Sequence, residues 1–377
     1  MTHLETLAAL LRPAGGGIHT VSTGRAAQAA MQERLYGAAD AAAVAARWRE
    51  ALGRVVDARV AILAVPSDTG AGLVRGAAFG PAALRSAVLD LIPDFAVRAE
   101  RAGVVDVGDV FVVPQLLHDE MVSDAQLAAT RAAIYPTLGA AERARLPVSP
   151  LSVAAAAATA LLAINPQLKL LALGGDHSIA WPIVSALAAA RGTPFAIVHP
   201  DAHTDLLSER LGIKYCFATW AYHANELIGR SGRLVQVGIR ASGRSREHWE
   251  STLGVRQFWA TDFELGGEAR TLDEIFAHLR GLGIADVYLS NDIDGTDGVL
   301  APATGAPEPG GLSVDLVRAL IRRLGDETCL IGADLVEVAP TIGAPEAARR
   351  TVEIGARYVV DSLKALLGAN ERMILDK

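Results

Sequence analysis

Only two cysteines, Cys216 and Cys329, occur in the chain. Two thiols cannot build the disulfide framework that staples small secreted folds, and their scarcity fits a reducing cytoplasm. Long apolar runs are missing as well. No stretch reaches the roughly 18 apolar residues of a membrane span, and the Ala- and Leu-rich segment 151–163 reads as a buried helix. Excess positive charge is absent: 35 Lys and Arg stand against 42 Asp and Glu, a net charge of -7. A basic face is the usual footprint of nucleic-acid binding, so that partner is not expected. The N-terminus carries Glu5 and no basic stretch followed by an apolar one, so a secretory signal is not expected either. No internal repeat and no linker rich in Pro, Gly or Ser divides the chain.

What remains is a soluble composition, 51% apolar and 20% charged over 377 residues, enough for a large core. Residues 1–25, broken by Gly15-Gly16-Gly17, read as a loosely ordered start, followed by one long helical pattern over 26–52. A strand is expected over Val55–Val65, then a Gly-rich loop, Ser67–Gly80, leading into a helix at Pro81. Further apolar runs near 104–107, 168–173, 194–199, 233–239, 286–291 and 328–335 alternate with helical patterns at 177–190, 243–252, 271–282, 313–323 and 344–367. Strands apolar at nearly every position, separated by helices, indicate a parallel sheet covered on both faces. The expectation is a three-layer α/β fold: an N-terminal extension over 1–54, partly helical, and one α/β domain over 55–377.

Three short segments carry the chemistry. They are Gly174-Gly175-Asp176-His177-Ser178, Asp201-Ala202-His203-Thr204-Asp205, and Asp292-Ile293-Asp294 followed by Gly295-Thr296-Asp297. In an extended backbone, residues 201, 203 and 205 would point to one side, as would 292 and 294. Each segment follows a strand-like run, where open α/β sheets bind their ligands. The candidate ligands are His177, Asp201, His203, Asp205, Asp292 and Asp294. Six O/N donors with carboxylates in the majority suit two hard or borderline divalent ions, Mn²⁺ being the natural choice. Taken singly the residues have plainer readings: His177 as a hydrogen-bonded histidine at a helix start, Asp201 and Asp205 as an N-cap and a loop acid. Asp176 reads as structural. Asp297 reads as a hydrogen-bond acceptor for a ligand histidine or as a turn cap, and His199 as the same or as a core histidine. Lys214 and Arg240 read as substrate-facing or, by default, as solvated surface.

These motifs, in this order and spacing, resemble the ureohydrolase family, which includes arginase, agmatinase and related guanidino-compound hydrolases. The resemblance runs from about Ala61 to about Leu367 and includes Ser290 to Asp297, Ala303-Thr304-Gly305-Ala306-Pro307 and Asp334-Leu335-Val336-Glu337-Val338. It implies the arginase/deacetylase-like fold, a cytoplasmic homo-oligomer (trimer or hexamer), and two Mn²⁺ per chain, with Ni²⁺ as the alternative. It implies that the six residues above hold the metals, that Asp205 or a partner bridges them, and that Glu337 and Thr304 bind a guanidino substrate. A hydroxide between the metals would attack the guanidinium carbon to release urea and an amine or ammonia. A catalytically silent homologue acting as a structural or regulatory subunit is the alternative. A zinc deacetylase on the related fold is a more distant one.

Two departures stand out. The family places a proton-shuttling histidine shortly after the second motif, where this chain has Lys214-Tyr215-Cys216-Phe217-Ala218. His223 is the leading replacement, with Tyr215 and Cys216 behind it. Leu206-Leu207-Ser208-Glu209-Arg210 does not match the arginase loop that reads an α-amino acid, so agmatine or another small guanidino compound is expected over arginine.

Overall fold

A computed structural model describes residues 1–19 and 22–376. Nine strands form one sheet: β1 (Leu11–Arg12), β2 (Val60–Val65), β3 (Val104–Val110), β4 (Lys169–Gly174), β5 (Ala196–Pro200), β6 (Leu234–Ile239), β7 (Arg256–Trp259), β8 (Asp286–Asp292) and β9 (Cys329–Val336). Their order across the sheet is β1-β3-β2-β4-β9-β8-β5-β6-β7. All neighbours run parallel except β1, which lies antiparallel on β3. Parallel strands need crossovers, and the crossovers are helices that cover both faces. Two apolar cores result. One holds Ile62, Leu171, Val198, Leu289 and Ala333, the other Leu63, Leu170, Ile197, Tyr288 and Ile331. The α/β three-layer expectation holds.

Several local expectations do not. The long helix over 26–52 is two helices, Arg25–Tyr36 and Ala41–Gly53. Gly37 ends the first in the left-handed region, and the Asp40 carboxylate caps the second by accepting from the amides of Ala42 and Ala43. Strand β2 starts at Val60, because Arg54–Asp57 winds into a 3₁₀ turn first. The described part of residues 1–25 is not a loose start. Thr2 and Glu5 form a capping box for the helix His3–Leu10. Leu7, Leu10 and Leu11 are fully buried in the second core, and β1 covers the β3 edge.

The central four strands, β4-β9-β8-β5, matter most for function. At their carboxyl ends the chain passes into the three motifs and Glu337. Gly175 permits the tightest approach there: a Cβ on it would overlap the Ser67 carbonyl, which accepts from the Asp176 amide.

Candidate metal centre

The ligand candidates converge, but not by strand alternation. Strand β5 stops at Pro200, and 201–205 is a loop whose turn is closed by the Asp201 carboxylate accepting from the His203 amide. Asp205 takes φ +52°, the left-handed region that costs a residue with a Cβ. Likewise β8 stops at Asp292, whose Oδ1 caps the 3₁₀ turn carrying Asp294 at 2.8 Å. Turns and caps aim these side chains; the alternating pleat does not.

Around His177 Nδ1 lie Asp292 Oδ2 at 3.0 Å, Asp201 Oδ2 at 3.2 Å and Asp205 Oδ2 at 3.3 Å. A second group joins His203 Nδ1 to Asp294 Oδ2 at 3.1 Å and Asp201 Oδ1 at 3.5 Å. Asp201 belongs to both groups, whereas Asp205 faces only the first. All but His203 are buried; its side chain is 29% exposed and faces the open side.

Hydrogen bonds fix the tautomers of two histidines. His177 Nε2 is 3.0 Å from Ser290 Oγ, and Ser290 gives its own proton to Asp334 at 3.0 Å. Asp334 also accepts from Tyr288 Oη at 2.7 Å. Ser290 must then accept from His177, so in the neutral ring it is Nδ1 whose lone pair faces the carboxylates. His199 is fixed from further away. An indole N–H can only donate, so Trp259 Nε1 donates to Gln257 Oε1 at 2.9 Å. Gln257 Nε2 donates to Gln236 Oε1 at 2.8 Å, and Gln236 Nε2 donates to Thr204 O at 2.6 Å and to His199 Nδ1 at 3.0 Å. His199 Nε2 therefore carries the proton donated to Asp201 Oδ2 at 2.6 Å. Neither glutamine was identifiable from sequence: Gln236 interrupts an apolar strand run, and Gln257 lies in a short strand, Arg256–Trp259, that was not expected.

The electrostatics are those of a site short of positive charge. Burial, then the charges of Asp294 and Asp201, pushes the Asp292 carboxyl well above its ordinary range. Burial and Asp201 push Asp294 up to about 6. Burial and then Asp176 push Glu337 well up too. Glu337 follows β9 at φ +61°, and its Oε1 accepts from the His177 amide at 2.9 Å.

Other sequence expectations are corrected. His223 is not brought to the cluster. Its Nε2 bonds the Lys214 carbonyl at 2.9 Å, and its ring packs among Trp181, Tyr215 and Tyr222. Tyr215 lies in the same aromatic group, stacked on Trp181 and tilted against His118. Asp297 serves no histidine; its Oδ1 caps the Val299 amide. Arg240 is not solvated surface. It donates to the carbonyls of Asp294 (2.6 Å), Glu308 (2.8 Å), Gly238 (3.1 Å) and Pro309 (3.1 Å), clamping the turn that carries Asp294. Trp220 belongs to the site without any sequence signal: its Nε1 donates to Asp205 Oδ2 at 3.0 Å and its ring stacks on His177 at 4.5 Å.

A sequence model of the arginase family matches residues 58–364. The chain belongs to the arginase family. It is 42% identical over 173 residues to the N(1)-aminopropylagmatine ureohydrolase of Thermus thermophilus, covering 45% of this chain and 54% of that one. It is 36% identical over 206 residues to the guanidinobutyrase of Pseudomonas aeruginosa, covering 54% of this chain and 62% of that one. The chain thus spans little more than half the length of these curated relatives. Among solved structures, the proclavaminate amidino hydrolase of Streptomyces clavuligerus superposes with a TM-score of 0.60 at 28% identity, covering 81% of this chain and 92% of that one.

An arginase-family metal pair can be tested against this donor set. An ion with ligands at about 2.1 Å and at right angles separates those ligands by about 3 Å. The 3.0–3.3 Å spacings around His177 Nδ1 match. That nitrogen is buried and makes no hydrogen bond although three carboxylate oxygens face it. Three oxygens at similar distances from one ring nitrogen are the arrangement that donors around a shared cation take. The residues fit.

Proposed function

We propose that this arginase-family chain hydrolyses the guanidino group of a small guanidino compound to urea and an amine, using two divalent ions, Mn²⁺ in the first place and Ni²⁺ as the alternative. The observation that carries this is Asp201 shared between two donor groups, with the Glu337 carboxylate on the adjoining amide. His177, Asp201, Asp205 and Asp292 would hold one ion, and Asp201, His203 and Asp294 the other. Asp292, close enough to Asp201 and Asp294 for their charges to raise its pKa, would complete the second set. When bound, such a pair ionises a water near neutral pH and stabilises negative charge on the reacting carbon's substituents.

The chain's own residues do the rest. Glu337 Oε1 is held by the His177 amide, so its carboxylate plane is fixed before substrate arrives. A planar cation offering two N–H groups is the partner that such a plane takes best. Pairing also relieves the cost of burying the carboxylate, which is what raises its pKa. Thr304, whose buried hydroxyl has no protein partner among the described residues, would accept a further substrate N–H. The departing amine would take its proton from solvent on the side where His203 is exposed. We further propose a cytoplasmic homo-oligomer. The two free thiols are compatible with a reducing compartment, and among the described residues no helix is long and apolar enough to cross a membrane.

The test is urea release from agmatine, arginine, 4-guanidinobutyrate, 3-guanidinopropionate and guanidine by Mn²⁺- or Ni²⁺-loaded protein, with metal counted in parallel. Glu337→Gln keeps shape and loses charge. Losing a charge-assisted hydrogen bond lowers kcat/KM by roughly tenfold to a hundredfold, with metal content unchanged. One ion per chain, or a Glu337→Gln variant that loses metal and keeps activity, refutes the reading.

A further inference from the structure

A second cavity, of about 350 Å³, opens beside the metal centre. Its walls come from the Gly-rich loop after β2, the loop after β3 and the loop after the second motif. Two observations place its inner wall next to the cluster. The Gly70 amide donates to Asp176 Oδ2 at 2.9 Å, one residue before His177. Cys216, on the same wall, is near enough to Asp176 and Asp205 for their charges, after burial, to raise its thiol pKa. The same Gly-rich loop continues to Val74, whose carbonyl packs on Gly305 next to Glu337. A ligand with its guanidinium on Glu337 and its chain laid along this loop would bring its other end to this cavity.

The lining decides what that end is. Leu116, Met121 and other apolar side chains form the walls, and the only charged groups are Arg75 and Arg210. No carboxylate lines the cavity, and neither arginine has an ion-pair partner among the described residues. Among the described residues Arg75 reaches only the Thr69 carbonyl, at 3.4 Å. Arg210 lies over the Phe217 ring at 5.2 Å. Its backbone is pinned by paired hydrogen bonds with Ile213, and the Phe217 amide ties that loop to the Gly70 carbonyl. Two unpaired guanidinium groups on an apolar cleft would repel the ammonium of agmatine. They match a carboxylate, which a guanidinium fork binds through two oxygens.

We propose that Arg75 and Arg210 form a carboxylate-binding subsite and that the substrate class is an ω-guanidino acid with an apolar spacer, in preference to a diamine derivative. This rests on the hydrolase reading above for the guanidinium end. Binding separates the two: Kd values for 4-guanidinobutyrate and agmatine are measured by calorimetry on the Mn²⁺-loaded chain, beside urea release. The acid should bind more tightly. Arg75→Gln with Arg210→Gln should lower the ratio of the agmatine Kd to the 4-guanidinobutyrate Kd by roughly tenfold to a hundredfold, the loss expected for a charge-assisted contact. Each single variant should lower it by less. Agmatine binding at least as tightly as the acid, or variants that weaken both ligands equally, overturns the subsite. Selective acid binding without urea release keeps the subsite and refutes the hydrolase reading.

Discussion

Replacing Gln236 with leucine removes a side chain that makes three buried hydrogen bonds, to His199 Nδ1, the Thr204 carbonyl and Gln257 Nε2. Leucine is close in size, so the packing cost is small and the polar cost dominates. Each buried group left unpaired costs about 1–3 kcal/mol. The three lie in one network, so their sum is an upper bound. The consequence for the metal is separate. Without Gln236, only the Asp201 carboxylate holds the His199 proton on Nε2, and the ring loses the second partner that sets its orientation. Loss of a partner behind a ligand typically costs tenfold to a hundredfold in metal affinity, roughly 1.4–2.8 kcal/mol. Asp201 belongs to both donor groups, so both ions should weaken together. Mn²⁺ titration by calorimetry reads the affinity, ¹⁵N shifts of the His199 ring read the tautomer, and thermal unfolding of the metal-free chain reads the stability. Trp259→Phe removes only the last donor of the chain of hydrogen bonds, so it should shift the same three readouts in the same direction by about 1 kcal/mol or less. A Gln236→Leu variant with unchanged Mn²⁺ affinity and unchanged ¹⁵N shifts would refute this relay of orientation from Trp259 to Asp201.

Three further outcomes are expected. Burial alone would favour neutral imidazole, but Asp201 and Asp294 push the metal-free His203 up to about 12, and Asp201, Asp205 and Asp292 raise His177 well above its ordinary value. Metal loading at pH 7.5 must then release protons. Affinity should rise with pH, by roughly tenfold per unit for each proton displaced, and a calorimetric heat independent of buffer ionisation enthalpy would contradict this. Arg240→Met should free the turn carrying Asp294, so the chain should lose one ion before the other on dilution; simultaneous loss would show that the clamp does not position Asp294. His223→Ala should leave kcat within about twofold while lowering stability by about 0.5–1.5 kcal/mol through lost ring contacts. A larger fall in kcat with an altered pH profile would restore His223 as a proton donor.

The layer order, the crossovers and the strand ends bearing the motifs were legible because apolar runs of strand length alternated with helical periodicity. That the six candidates come together was legible as well, but through a mistaken mechanism. Asp201, His203 and Asp205 share a side because a loop, a carboxylate-closed turn and one left-handed residue put them there. Residues whose function depends on a distant partner were invisible. Gln236 looks like a polar interruption in a strand, and Gln257 like an ordinary polar residue, until the indole of Trp259 orients them. Arg240 looks like surface until six carbonyls from three segments meet its guanidinium. His223 suffered the reverse error: its intrinsic pKa made it attractive, while aromatic packing that no local pattern reveals claims its ring.

The central strands have one more consequence. Strands β4, β9, β8 and β5 are neighbours in space but come from segments starting at residues 169, 329, 286 and 196. Donors from the ends of β4, β5 and β8 meet at one point, with Asp201 common to both groups. A bound ion pair would then act as a cross-link closing loops of dozens of residues, as a disulfide does in a secreted protein. Such a clasp holds the middle of the sheet. Chelation would accordingly change how long the folded chain survives protease or heat, and not only whether it turns over substrate.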